Sequence, residues 1–157
     1  MDDAVFLEKL RRYYALWRED NEIYGEWAQA RGFSYFELMV LSSLAEGGRT
    51  QRDICDQWSM SKQTVHSILR QFQARGWVTL ETRPEDRRSK TVRLTAAGEA
   101  AALPLHREII DHERRVWEAL GEDTVDTLMT IQARYIRTFR ELSLIHISEP
   151  TRPRLIS

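Results

Sequence analysis

Apolar residues recur three or four positions apart along most of this chain, and this spacing predicts six helices. With their capping residues, the predicted helices span residues 6–31, 34–46, 51–58, 61–76, 95–120 and 122–142. The first carries a stripe of large aromatic side chains. Such a long helix needs a packing partner, either the C-terminal helices or a second subunit.

Several predicted helix ends carry recognisable capping residues. Ser34 and Glu37 have the S-x-x-E spacing of a capping box, in which each side chain binds the backbone amide of the other residue. Thr50 and Asp53 offer a second N-terminal cap, and Thr95 a third. Helix 34–46 is followed by Gly-Gly, which predicts a sharp end there.

Helices 51–58 and 61–76 are short and are separated by the turn Ser59-Met60-Ser61. This arrangement is the helix-turn-helix pattern. Ile54, Cys55 and Trp58 are predicted to face inward from the first of the two helices.

The second helix has two faces of different character. Ser61 is a suitable N-cap for it, and Gly76 a suitable stop. One face is apolar, with Val65, Ile68, Leu69 and Phe72, and the other is polar without any acid, with Gln63, His66, Ser67 and Arg70. The polar face suits the base edges of a DNA major groove, although an ordinary amphipathic surface helix would show the same two faces.

After residue 76 the period changes from helical spacing to strict alternation. Residues 77–82 and 91–94 alternate as half-buried strands, and the charged segment 83–90 between them contains a proline. This pattern predicts a hairpin with a basic tip, or wing. The predicted fold is mostly α with a small β wing, a winged helix-turn-helix flanked by further helices.

Charge is distributed unevenly along the chain. The formal net charge is only −1, but residues 49–95 hold ten of the 23 basic side chains and five of the 24 acidic ones. This segment therefore carries +5 and the remainder −6. A basic middle between acidic flanks is typical of a DNA-binding unit set between helices with another purpose.

Other features restrict the class of protein. The sequence has no apolar run of membrane-spanning length, and its first residues are acidic rather than a signal peptide. A single cysteine cannot form an internal disulfide, so we expect a soluble cytoplasmic protein. There is no Gly-rich phosphate loop or nucleophile elbow, and catalysis is not expected.

The segment TQRDICDQWSMSKQTVHSILRQFQARGWVTLETRPEDRRSKTVRLTAAGEAA resembles the winged-helix core of the MarR family of bacterial transcription regulators. Its most specific part is Asp86-Arg-Arg88 followed by Val-Arg-Leu-Thr-x-x-Gly98. The resemblance covers residues 6–141, and we expect residues 1–141 to form a single unit. It assigns residues 34–95 to a winged helix-turn-helix DNA-binding region and residues 1–33 and 96–141 to a helical dimerisation region.

The resemblance implies a ligand-responsive dimeric repressor. A homodimer would hold two winged regions over successive major grooves, on a pseudo-palindromic site with half-sites about one helical turn apart. It also implies a small aromatic effector, often anionic, that binds between the dimer helices and the winged region. No metal or cofactor is expected.

The resemblance also implies roles for individual side chains. On the second helix, the residues that would meet phosphates and base edges are Ser61, Lys62, Gln63, Thr64, His66 and Arg70. Arg88 would enter the minor groove from the wing tip, with Arg87 and Lys90 on phosphates, and Asp86 would orient the arginines or pin the hairpin. The alternative for each is an ordinary solvated surface residue.

Three further features of the sequence could indicate an effector pocket, a redox-active cysteine or a metal site. Tyr13 and Trp17 could line a pocket for a flat effector, although large aromatics also dominate dimer and core packing. Cys55 is expected in the core rather than as an oxidant sensor. Glu108 and His112 have the i, i+4 spacing of metal ligands, but neither a second histidine nor a cysteine joins that face, so a metal is disfavoured.

The chain could be a dimeric winged-helix protein-interaction module without specific DNA recognition; the basic wing argues against that.

Residues 142–157 lose the helical period, and Leu142–Arg152 resembles a translated sequencing-library adapter. We expect this segment to be a non-native disordered tail. If it is instead a natural disordered tail, the functional predictions stay the same.

Overall fold

A computed structural model describes residues 2–82 and 90–147 of the chain, with side chains up to residue 143. The described residues form six helices and three short strands, as the sequence predicts for a mostly α protein with a small wing. In chain order the elements are α1 Asp3–Gln29, α2 Tyr35–Ala45, β1 Arg49–Thr50, α3 Gln51–Trp58, α4 Lys62–Ala74, β2 Val78–Thr82, β3 Lys90–Leu94, α5 Ala96–Leu120 and α6 Glu122–Ile147.

The predicted caps at the start of α2 and α3 are confirmed. The Glu37 amide donates to Ser34 Oγ at 3.2 Å, and the Ser34 amide donates to Glu37 Oε2 at 2.8 Å. Thr50 and Asp53 make the same reciprocal pair at 3.1 and 2.8 Å. Each box satisfies two backbone donors that have no partner within the helix, and it fixes where the helix begins.

The turn between α3 and α4 depends on an unusual backbone conformation. Ser59 ends α3 in the left-handed region, with φ at +52°. The chain then reverses, Met60 is buried, and Ser61 caps α4 by accepting the Thr64 amide at 3.0 Å. Gly76 follows the end of α4 with φ at +70°, a conformation that favours glycine, so both predicted ends of this helix are confirmed.

The wing is an antiparallel sheet with the strand order β1-β3-β2. Thr50 pairs with Thr91, and Val78 pairs with Leu94 at the other end of the sheet. The sequence pattern did not predict β1, because two residues are too short to show an alternation. The chain before β1 lies close to β3, since a Cβ on Gly48 would lie 2.9 Å from both Arg93 Nη1 and Thr91 Cγ2.

Residues Met1–Glu108 form one compact unit. Its core lies between α2, α3, α4 and the sheet, and Ala28 of α1 and Ala102 and Leu105 of α5 also belong to it. The apolar stripe predicted for α4 is buried throughout. Large side chains with less than 2% exposure include Phe72, Leu38, Leu41, Ile54, Val40, Val65 and Val92. Ile54 and Cys55 face inward as predicted.

The prediction for Trp58 was wrong in part, because this side chain is 36% exposed. It is the last residue of α3, so its ring reaches the rim of the core rather than the centre. Its indole Nε1 donates to Ser43 Oγ at 2.6 Å, which satisfies the polar edge without full burial.

The second compact unit, Ile109–Ser157, is described up to residue 147 and contains the last turns of α5 together with α6. Pro104 lies inside α5 but does not end it, whereas Gly121 does, with φ at +82°. Ile109 and Val125 are buried, and most other large apolar side chains of this unit are exposed.

Two predicted helix ends differ from the structure. The first helix begins at Asp3, three residues early, where the Asp2 carboxylate accepts the Ala4 amide at 3.3 Å. The last helix continues to Ile147 instead of ending at Leu142, so the predicted disordered tail was wrong for residues 142–147. No proline or glycine occurs there to end the helix. Residues 148–157 lie outside the described part of the chain.

None of the described helices is both long and apolar enough to cross a membrane.

Candidate nucleic-acid interface

Helix α4 presents a continuous polar surface on the side opposite its buried stripe. The exposed side chains are Lys62, Gln63, His66, Ser67 and Arg70. None of them is acidic, and the first turn of α4 contains no acid. The partial positive charge of the helix N-terminus is therefore left uncancelled by any acid in that turn, and Lys62 adds a full charge beside it.

Ser61 and Thr64 differ from the rest of the predicted set, because they also build the cap of α4. The two hydroxyl oxygens lie 2.8 Å apart, and Thr64 is half-buried. Ser61 Oγ accepts from the Thr64 amide as well. Their first role is therefore to fix the start of the helix, which sets where Lys62 and Gln63 lie.

A side chain of α3 also holds the start of α4. Gln51 Nε2 donates to the carbonyl oxygen of Lys62 at 2.8 Å. The sequence pattern did not identify this residue. Its only signal was its position, directly after the Thr50 cap in a helix-turn-helix, and position does not reveal which partner the amide meets.

A buried hydroxyl joins α3 to α2. Ser43 Oγ is completely buried, accepts from Trp58 Nε1, and lies 2.8 Å from Gln57 Oε1 and 3.1 Å from the Met39 carbonyl oxygen. Its single proton can go to either of these two acceptors. This network fixes α3, and through α3 it supports α4.

The wing is described only in its strands. Lys90 is the first residue of β3, pairs with Thr82, and has an exposed side chain. Beside it, Arg93 Nε donates to Glu81 Oε2 at 2.8 Å across the sheet. The predicted tip residues Asp86, Arg87 and Arg88 fall in residues 83–89, outside the described part of the chain.

The two aromatic candidates for an effector site lie on α1. Tyr13 and Trp17 are 43% and 60% exposed. The ring of Tyr13 packs against that of Tyr14, with 5.8 Å between the ring centres. A cavity of about 360 Å³ lies elsewhere, lined by Arg49, Asp53, Asp56 and Gln57, so neither aromatic contributes to it.

Cys55 lies in the core, as predicted. Burial raises the pKa of its thiol, the Asp56 carboxylate raises it further, and Lys62 partly opposes them. Only 8% of the residue is exposed. A buried thiol with a raised pKa has little of the thiolate character that oxidant sensing requires.

The carboxylate considered as a metal ligand has a different partner. Glu108 accepts from Arg31 through both of its oxygens, with Arg31 Nε at 3.1 Å from Oε2. This interaction raises the pKa of Arg31, whose guanidinium also lies over the Trp27 ring at 3.7 Å from its centre. Among the described residues, no group of three or more His, Cys, Asp or Glu side chains could hold a metal ion.

The winged-helix region matches a known family. Residues 32–89 match the model of the MarR family. A comparison with curated protein sequences finds no match.

Solved structures with the same fold include several regulators. A MarR family regulator of Neisseria meningitidis is 24% identical with a TM-score of 0.77, over 88% of this chain and 98% of that one. The transcription regulator MarR of Oenococcus oeni is 16% identical with a TM-score of 0.63, over 83% and 98%. A mutant E. coli MarR complexed with operator DNA is 20% identical with a TM-score of 0.65, over 86% and 99%.

Proposed function

We propose that this chain is a MarR family transcription regulator rather than an enzyme, and that it binds double-stranded DNA sequence-specifically as a homodimeric, ligand-responsive repressor. The match of residues 32–89 to the MarR family model and the shared fold of solved MarR regulators support this proposal. The observation that carries this proposal is the exposed, acid-free polar face of α4, on a helix fixed at its start by a cap and by Gln51. The E. coli neighbour with operator DNA shares the fold.

The start of α4 suits phosphate binding. Backbone amides of the first turn point out of the helix end, and Lys62 places a positive charge beside them. Contacts of this kind fix the position of a protein on the duplex without reading its sequence. We assign this role to Ser61, Lys62 and Thr64, with Lys90 and the wing-tip residues Arg87 and Arg88 as further backbone or minor-groove contacts and Asp86 as their orienting group.

The middle of α4 suits base recognition. The Gln63 amide can bind an adenine edge through two hydrogen bonds, and the Arg70 guanidinium can bind a guanine edge in the same way. They are seven residues apart, which is about 10 Å along the helix axis, with His66 between them. This spacing lets one helix read several neighbouring base pairs of a half-site.

Exposed apolar surface supports the homodimer. On α6, large apolar side chains exposed at helical spacing are Leu128, Ile131, Tyr135, Phe139 and Leu142. Monomeric proteins rarely expose contiguous apolar patches of this kind, and a second copy of the chain would cover them. A two-fold dimer would present two copies of α4, which calls for a pseudo-palindromic DNA site.

The effector part of the proposal rests on the aromatic side chains of α1. Tyr13 and Trp17 expose flat apolar surface that suits a small aromatic molecule. Thermal unfolding with and without a panel of phenolic acids tests this. Stabilisation of the native chain that is lost in Trp17→Ala supports an effector, whereas no stabilisation across the panel supports a constitutive DNA binder.

Binding to the DNA upstream of the chain's own gene, at several salt concentrations, tests the main proposal. We expect a steep fall of log K with log salt, because basic side chains displace counterions from phosphates. We also expect a scrambled duplex of equal length to bind much more weakly. Equal affinity for both duplexes would contradict specific recognition and would favour a dimeric protein-interaction module.

A further inference from the structure

Gln51 connects three parts of the winged helix at one point. It is the first residue of α3, and its side-chain Nε2 donates to the carbonyl oxygen of Lys62, the first residue of α4, at 2.8 Å. The two residues are eleven positions apart, on opposite sides of the turn. The bond therefore ties the starts of both helices together, where packing of the apolar stripe exerts least control.

The acceptor of this bond lies at the end of α4 that would face phosphate. The Lys62 carbonyl already accepts the amide of residue 66 within the helix, and a carbonyl oxygen has room for a second donor. Gln51 uses that second position. It can therefore hold the first turn of α4 without disturbing the hydrogen bonds of the helix.

The same residue is joined to the wing. Thr50, directly before Gln51, pairs with Thr91 in the sheet and caps α3 together with Asp53. Lys90, a proposed phosphate contact, is the neighbour of Thr91 in β3. A continuous connection of paired strands, a cap and one side-chain hydrogen bond thus runs from the wing to the start of α4.

We propose that Gln51 is a positioning residue for DNA binding, which sets the place of the first turn of α4 relative to the wing. The inference rests on the proposed function, because it assumes that α4 and the wing contact the same duplex. Without this bond, the turn moves over a range of positions and fewer of them satisfy both contacts. Specific binding, which needs every contact in register, loses more affinity than non-specific binding.

Gln51→Met tests this role, because methionine keeps the length and helix propensity of glutamine but cannot donate a hydrogen bond. We expect binding to the upstream duplex to weaken about 3- to 10-fold, the range expected for one net hydrogen bond. Binding to the scrambled duplex should change less. Gln29→Met, an exposed position at the end of α1, makes the same chemical change outside the helix-turn-helix and should match the wild type.

A second variant separates positioning from general loosening of α3. Gln57 bonds Ser43 of α2 rather than α4, so Gln57→Met weakens the attachment of α3 without breaking the bond to Lys62. The proposal expects Gln51→Met to lose more specific affinity per degree of lost Tm than Gln57→Met. Equal losses in proportion to Tm, or unchanged affinity in Gln51→Met, would overturn it.

A direct contact between Gln51 and DNA could also explain a loss of affinity in Gln51→Met. Amide hydrogen exchange of the DNA-free protein distinguishes this explanation from positioning. The amides of Val65 and His66, which close the first turn of α4, should exchange faster in Gln51→Met than in the wild type. Unchanged exchange would contradict the positioning role. If the wild type shows no preference for the upstream duplex, the proposed function itself fails, and that outcome is distinct from a normal wild type beside an unaffected Gln51→Met.

Discussion

Lys62 and Arg70 are both exposed and basic, but their places on α4 predict different contributions to DNA binding. Lys62 begins the helix, where the backbone amides and the helix dipole attract phosphate. Arg70 lies two turns further along, away from that end, and its planar guanidinium suits a guanine edge. A side chain that contacts phosphate strengthens binding to every DNA sequence equally, whereas one that contacts a base edge strengthens binding only to the correct sequence.

We therefore expect Arg70→Ala to weaken specific binding about 5- to 150-fold, which corresponds to about 1–3 kcal/mol for one bidentate base contact, and to reduce the preference over scrambled DNA. Lys62→Ala should weaken both duplexes alike and lower the slope of log K against log salt by about one. Fluorescence anisotropy titrations over a range of salt concentrations measure both effects.

Arg107→Ala is the matched control for these two variants, because Arg107 is exposed on α5, outside the helix-turn-helix. It removes the same charge and should leave the preference for the upstream duplex unchanged. A loss of preference in this variant as large as that in Arg70→Ala would contradict the assignment of base recognition to α4.

The residue types on α4 could be interpreted from the sequence, because burial and exposure follow from helical spacing alone. Val65 and Phe72 were predicted to be buried and are. The bonds of Gln51 to Lys62 and of Arg31 to Glu108 could not be predicted. Their partners are 11 and 77 residues apart, and no periodic pattern identifies which of many polar side chains a given amide or guanidinium will meet.

At the scale of elements, the junction of α4, β2 and α5 is closely packed around one glycine. Gly98 is buried in the first turn of α5, and a Cβ there would lie 2.0 Å from the Trp77 carbonyl oxygen. Its amide donates to Thr95 Oγ1 at 3.1 Å, and the Thr95 hydroxyl donates to the Gly76 carbonyl oxygen at 2.6 Å. Thr95 therefore caps α5, as predicted, and also attaches it to the end of α4.

Gly98→Ala should lower the free energy of unfolding by about 1–3 kcal/mol, because the added methyl group overlaps backbone that cannot move without shifting α5. Helix propensity alone would give the opposite sign, since alanine favours a helix over glycine by about 1 kcal/mol. Urea denaturation followed by circular dichroism measures the difference.

Gly25→Ala is the matched comparison within α1, where a Cβ would meet no atom within 4 Å. There propensity acts without opposition, so we expect stabilisation by about 0.5–1 kcal/mol. Stabilisation by both substitutions would show that α5 can move away from Trp77, contrary to the packing described here.

Short elements and short-range caps differ in how well sequence predicts them. Each cap on α2, α3 and α4 involves partners only three residues apart, so a local motif identifies it. Strand β1 has two residues and exists only because β3 lies beside it. The sequence pattern predicts the end of α6 too early, because apolar periodicity stops near Leu142 while residues 143–147 contain no proline or glycine that would end the helix.

At the scale of the whole molecule, the unit Ile109–Ser157 buries little of its own apolar surface in its described part. A helix that exposes Ile131, Tyr135 and Phe139 to water gains stability when a second chain covers them, by roughly 25 cal/mol for each Å² of apolar surface. Association is therefore expected to contribute to the stability of each chain.

Light scattering coupled to size-exclusion chromatography should give twice the 18.5 kDa chain mass for the wild type. Ile131→Glu should shift the population toward monomer, because a carboxylate cannot be buried in an apolar interface without a partner. Thr130→Glu introduces the same charge at an exposed position on the opposite side of α6 and should remain dimeric. A wild type that is monomeric at high micromolar concentration would contradict the homodimer.

The hydrogen bond between Trp58 and Ser43 gives the chain an intrinsic fluorescence probe for the position of α3. Of the five tryptophans in the sequence, only Trp58 belongs to the helix-turn-helix. Its indole proton is held by a buried hydroxyl while part of the ring meets solvent, so the emission wavelength depends on how closely α3 lies against α2. Subtracting the spectrum of Trp58→Phe isolates this signal, and the movement of one helix can then be followed in unlabelled protein.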